Sequence, residues 1–133
     1  MDACNRALDE ALPATDVVGT HVNRGILYMV AGDYRRAIRD FDEALRMAPS
    51  QPEAWLNKAI AQFKQGDSRG ALELADKSLS FGTRKPALAH FVRGLAHEDA
   101  GNVKAAYADL VKARQLDPKW REPQVELGRY RVR

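Results

Sequence analysis

The chain repeats itself, and this limits its fold more than any other feature. Gly32-Asp33, Gly66-Asp67 and Gly101-Asn102 stand 34 and then 35 residues apart. Other positions recur in step: Gly25, Ala59, Gly94 and Gly128; Ala37, Ala71 and Ala106; Ala44, Ser78 and Ala113; Pro49, Thr83 and Pro118. A period of this size means stacked supersecondary units, none of which can bury its apolar face alone. Such an array usually presents a surface that holds other proteins.

Each unit reads as two helices. Apolar and small residues from Val18 to Ala31 (Val22, Gly25, Ile26, Tyr28, Met29, Val30) follow three- and four-residue spacings, which predict a helix. Gly32 ends it, and Asp33 caps a second helix from about Tyr34 to Met47, with the stripe Tyr34, Ala37, Ile38, Phe41, Ala44, Leu45 and Ala48. Pro49 breaks the chain. Ser50-Gln51-Pro52-Glu53 has the spacing of a capping box, and Trp55, Leu56, Ala59, Ile60 and Phe63 continue from it. Leu72, Ala75 and Leu79 mark the return helix, Gly82 ends it, and Thr83 is placed to cap a helix starting near Pro86. The third unit has Phe91, Gly94 and Leu95, then Ala106, Tyr107, Leu110 and Ala113. A last helix is predicted over Glu122 to Val132.

This pattern resembles the tetratricopeptide repeat (TPR), a family of 34-residue helical hairpins. Residues 18–51 match through Gly25, Tyr28, Ala37, Phe41, Ala44 and Pro49. Residues 52–86, one residue long, match through Trp55, Ala59, Ala71 and Ala75. Residues 87–120 match through Gly94, Ala106, Leu110, Ala113 and Pro118. Residues 1–17, with Cys4, Leu8 and Ala11, fit the second helix of a partial preceding unit, and residues 121–133 a capping helix with a basic tail. The resemblance implies an all-α fold: a right-handed α-solenoid of antiparallel helix pairs, three TPR units with flanking half units. His21, Arg24, Lys58, Gln62, His90 and His97 replace the larger apolar residues the family prefers, and are expected to loosen the interior.

In the family the first helices line a concave groove, which implies a peptide-binding set here: Val22, Asn23, Ile26, Met29, Leu56, Asn57, Ile60, Phe63, Lys64, Phe91, Leu95 and Glu98. Most of these are apolar, and contiguous exposed apolar surface marks an interaction site. The implied ligand is an apolar or amphipathic segment, with Lys64, Glu98 and Asp99 setting its charge preference. Packing against adjacent units is the competing role for Val22, Ile26, Ile60 and Leu95. Asn23 and Asn57 share one place in their units and could pair with a peptide backbone. Some members hold chaperone carboxylate tails with a clamp of Lys, Asn, Asn, Lys and Arg. Only Asn57 matches it, because Val22, Ile26, Leu88 and Val92 fill the other places, so binding of that type is not expected.

Composition narrows the remaining classes. With 45% hydrophobic and 29% charged residues in 133, the chain is long and apolar enough for one folded domain. No run of about 18 apolar residues occurs, so no membrane span is expected. Met1-Asp2-Ala3-Cys4 does not start a signal peptide, which gives a soluble, cytoplasmic protein by default and a periplasmic or secreted one if a leader has been removed. The lone Cys4 supports neither an internal disulfide nor a thiolate cage. Residues 119–133 carry five basic and two acidic side chains, which accounts for the whole net charge of +3. A balanced body argues against nucleic acid, although Arg129-Tyr130-Arg131-Val132-Arg133 could touch phosphate. The three histidines have no helical zinc spacing, there is no Gly-rich phosphate loop, and the serines lack a nucleophile motif, so no metal, cofactor or enzymatic activity is expected. The partner is therefore another protein or peptide. Homo-oligomerisation through the same apolar face or the half-repeat ends is the alternative.

Overall fold

The computed structural model describes residues 14–130. Among the described residues seven helices follow one another: α1 (Ala14–Val30), α2 (Tyr34–Met47), α3 (Pro52–Lys64), α4 (Ser68–Ser80), α5 (Pro86–Asp99), α6 (Val103–Leu116) and α7 (Arg121–Leu127). No strand occurs among the described residues. The pairs α1/α2, α3/α4 and α5/α6 form helical hairpins, each packs on the next, and α7 closes against α6. The first helices also meet one another, α1 with α3 and α3 with α5. The result is the all-α solenoid that the repeat implied.

The hairpin turns follow from local chemistry. Gly32 takes φ 83°, so the chain can reverse while Asp33 N–H donates to the Tyr28 carbonyl at 2.8 Å. The Asp33 carboxylate then accepts from Arg36 N–H at 3.2 Å, and Asp67 does the same for Gly70 N–H at 2.9 Å. Asn102 stands at the equivalent place without a side-chain capping bond. Asp67→Ala should therefore cost about 1 kcal/mol in urea denaturation, and Asn102→Ala much less.

Several boundaries differ from the sequence reading. α1 starts at Ala14, inside the segment assigned to a preceding unit, and residues 1–13, with Cys4, Leu8 and Ala11, lie outside the described residues. The Ser50–Glu53 capping box does not form. Gln51 caps α3 by accepting from Glu53 N–H at 2.7 Å. The Glu53 carboxylate instead accepts from the Thr83 hydroxyl and Arg84 N–H, both at 3.0 Å, thirty residues away. Thr83 is not the α5 cap residue. Lys85 is, and the Thr83 hydroxyl accepts from its N–H at 3.1 Å. The last helix stops at Leu127 rather than Val132, and Tyr130 turns back onto α5.

Small residues let the helices approach. Ala37, Phe41 and Ala44 of α2 are fully buried against Val18 and Val22 of α1, with Ala54 and Ala61 of α3 behind them. Ala59, Leu74, Ala75 and Val92 form the corresponding core between the second and third units.

The polar departures do not loosen this interior. Asp40, 4% exposed, accepts from Arg24 Nε at 2.9 Å and lies 3.2 Å from His21 Nδ1. Asp109, 5% exposed, accepts from Arg93 Nε at 2.9 Å and lies 3.0 Å from His90 Nδ1. The two clusters are one device, repeated at an offset of 69 residues. In the unit between them the same places hold Trp55, Lys58 and Leu74. Burial disfavours the Asp109 carboxylate, but the hydrogen bonds and charges of Arg93 and His90 outweigh it and hold its pKa below the usual value. Basic residues at this place also tie neighbouring units together: Lys58 reaches Asp42 and Arg93 reaches Asp76, each at 2.7 Å.

Candidate functional site

The face formed by α1, α3 and α5 carries the residues predicted to meet a ligand. Their side chains fall into three groups. Val22, Asn23, Ile26 and Asn57 line a depression of about 310 Å3 at the edge where the first helices start. Phe63, Leu95 and Glu98 line another of about 420 Å3 at the opposite edge. Met29, Leu56, Ile60, Lys64 and Phe91 line neither. Met29 packs on the core beneath α1, and Ile60 packs on the core between the second and third units.

Some assignments need correction. Leu56 is 1% exposed and is part of the interior rather than the surface. Val22, at 7%, contributes only an edge. Asn57 is not a free rung, because its amide donates to its own helix at the Glu53 carbonyl, 2.8 Å away. Asn23 is exposed, and Val92, its counterpart in the third unit, is buried. Phe91 is half-buried, with the Trp120 ring edge-on at 4.8 Å between centroids.

Residues outside the predicted set complete both edges. Arg84 and Lys85 stand on the loop before α5 and wall the first depression beside Asn23 and Asn57. They also wall a third depression of about 490 Å3 with Leu88, Leu116 and Trp120. The signal for them was the extra residue in residues 52–86: the loop before α5 spans residues 81–85, whereas those before α3 and α7 span 48–51 and 117–120. Insertions in a repeat array map to such loops.

The opposite edge is acidic. Glu98, Asp99 and Glu126 surround the Phe63–Leu95 depression, with Arg129 beside them, 3.7 Å from Glu126. Asp99 accepts from the Ser68 hydroxyl. The Tyr130 hydroxyl donates to Glu98 at 2.8 Å. Burial, together with the Glu98 and Glu126 carboxylates, pushes the Tyr130 phenol up to about 12. An ultraviolet titration should therefore show a tyrosine phase well above the ordinary phenol value of about 10, and Glu98→Gln should bring it down. Tyr130 is thus held to α5 rather than free, while residues 131–133 of the basic tail lie outside the described residues.

His21 and His90 face buried aspartates, and His97 Nε2 lies 3.8 Å from Asp109. Among the described residues no three metal-ligating side chains converge, and no helix is long and apolar enough to cross a membrane.

Comparison with known proteins agrees with this architecture. The family model described as tetratricopeptide repeat matches residues 22–86. Tetratricopeptide repeat protein 36 of Mus musculus is 33% identical over 107 residues, covering 78% of this chain and 58% of its own length. The chain thus spans somewhat over half of the curated relatives of that name. Among solved structures, the Arabidopsis OM64 TPR domain superposes with a TM-score of 0.83 at 20% identity, over 88% of this chain and 96% of that one. The first TPR of Spaghetti (RPAP3), bound to the HSP90 peptide SRMEEVD, gives 0.78 at 22% identity, over 84% and 87%. Repeat spacing, glycine turns, helical hairpins and these likenesses converge, and the chain belongs to the tetratricopeptide repeat family.

Proposed function

We propose that the protein is a non-enzymatic interaction scaffold that holds an apolar or amphipathic peptide segment against the face of α1, α3 and α5. One observation carries this reading: Phe63 and Leu95 are half-buried and line an open depression between α3, α5 and α7. Half-exposed Ile26, Met29 and Ile60 extend the apolar surface towards the other edge. A neighbouring fold that carries a bound chaperone peptide supports the use of such a face. The peptide here is of a different kind, because four of the five clamp places are apolar.

The test is a pull-down from lysate with wild type and Phe63→Glu, followed by calorimetry on the captured partner. Burying a phenylalanine is worth about 1.5–3 kcal/mol, so the substitution should weaken binding at least ~10-fold. Equal capture by the two proteins would reject the reading.

Self-association is the second reading, favoured by exposed Val103 and Tyr107 on α6 and Val125 on α7. Sedimentation separates the two: a monomer with an open groove supports the receptor, and a concentration-dependent dimer supports assembly.

A further inference from the structure

We propose that the groove along α5 takes a linear peptide segment charged at both ends, acidic where it meets Arg84 and Lys85 and basic where it meets Glu98, Asp99 and Glu126. This rests on the groove reading above and adds the charge order and direction of the ligand.

The charges of α5 run against its own helix dipole. A helix favours acidic side chains at its N-terminus and basic ones at its C-terminus. α3 obeys, with Glu53 in its first turn and Lys64 in its last. α5 does the reverse, with Arg84-Lys85 just before Pro86 and Glu98-Asp99 at its end. Such an arrangement weakens the helix, and local rules are broken where a site requires it.

The geometry at the two edges fits a ligand of opposite polarity. The Arg84 and Lys85 side chains have no ion-pair partner among the described residues. They stand between the depression beside Asn23 and the one walled by Leu88 and Trp120, so a carboxylate between them can have an apolar neighbour seated alongside. Two acidic residues border the same ground. Glu53 is occupied by Thr83 and the Arg84 amide, and Asp117 lines only the depression walled by Leu88 and Trp120.

At the other edge Glu126 Oε2 is buried without a hydrogen-bond partner, and Glu98 and Glu126 line the depression with Phe63 and Leu95. Glu98 accepts from Tyr130 and Asp99 from Ser68, each through one oxygen, so both keep acceptor capacity for a cation. A lysine or arginine there lays its aliphatic stem on the two apolar residues and its charge among the carboxylates. Arg129 already brings a guanidinium to that rim.

The distance between the edges sets the spacing. Lys85 and Glu98 are thirteen residues apart along a helix, about 20 Å. An extended peptide covers that in roughly six residues, with alternate side chains facing the floor.

The experiment pans random dodecapeptides displayed on phage against the folded wild type, Arg84→Glu/Lys85→Glu, Glu98→Lys and Phe63→Glu. Arg84 and Lys85 are exposed, so their reversal leaves packing intact. The wild type should enrich peptides with an acidic and a basic residue about six apart and apolar residues between. By calorimetry, the best of them should bind Arg84→Glu/Lys85→Glu about 10-fold more weakly. Changing its acidic residue to lysine should restore binding to that variant, a rescue that a merely structural role would not produce. Enrichment of apolar peptides without charge order, or failure of the rescue, overturns this proposal and leaves the groove standing. Peptides that bind Phe63→Glu as well as wild type, or no enrichment at all, overturn the groove reading and this proposal together.

Discussion

Asp109→Ala should cost about 3 kcal/mol or more in urea denaturation, far more than an ordinary surface change. The substitution strips the half-buried Arg93 and His90 of their main partner and leaves Arg93 with Asp76 as its one carboxylate and a long contact to His90. Breaking such a cluster from one side is costly because the remaining charge stays desolvated. Replacing the cluster as a whole is a different matter, and the second unit shows how, with Trp55 and Leu74 in the places of His90 and Asp109. His90→Trp combined with Asp109→Leu should therefore lose less than the sum of the two single changes. Strict additivity would mean that the cluster does not act as a unit. The same carboxylate ties stability to acidity. Its pKa is lowered in the folded state, so its contribution is full above the unfolded-chain value of about 3.9 and fades as pH falls through the folded one. The Asp109→Ala variant should show a shallower loss of stability across that acid range.

Gly25→Leu should be the most damaging glycine substitution. A Cβ built on Gly25 would stand 2.5 Å from the ring of Phe41, which is itself fully buried and cannot turn away. Overpacking of this kind costs about 1–3 kcal/mol, and leucine adds more bulk than the first carbon. Gly94 is less tight, with Asp109 Cβ and Leu110 Cγ at 3.2 Å, so Gly94→Ala should be mild and Gly94→Leu severe. Gly19 has nothing within 4 Å, and Gly19→Ala should raise the melting temperature through helix propensity alone. Circular dichroism melts on the four variants test the order. A Gly25→Leu protein that melts with the wild type would discard the close α1–α2 packing.

The sequence showed the hairpins well because their determinants are local. Gly32 with Asp33 marks a turn and a cap within two residues, and α2 occupies Tyr34–Met47 as its spacing predicts. What escaped was set by contacts between distant residues. Asp40 and Asp109 are buried although the sequence reading gave them no role, and the recurrence of His, Arg and Asp at one offset was the signal for them. Glu53 satisfies every local condition for a capping box, yet the Thr83 loop takes its carboxylate. In the candidate groove, the family's pattern locates side chains on first helices and says nothing of loops. It therefore placed Phe63 and Leu95 at an open depression, did not point to Arg84 and Lys85 on the loop at the other edge, and counted Leu56, which the stacking of neighbouring units buries.

The charged pairs between units also write the order of the array into its sequence. Asp42 receives Lys58, and Asp76 receives Arg93, but at the next junction the corresponding places hold Val111 and Leu127. A shuffled chain with the third unit directly after the first would keep its salt link, since Asp42 would meet Arg93. Setting the second unit after the third would push the ammonium of Lys58 against Val111 with no counter-ion. The modules are thus not equivalent at their junctions, although both aspartates are more than half exposed, so each pair biases the order by about 0–1 kcal/mol rather than fixing it.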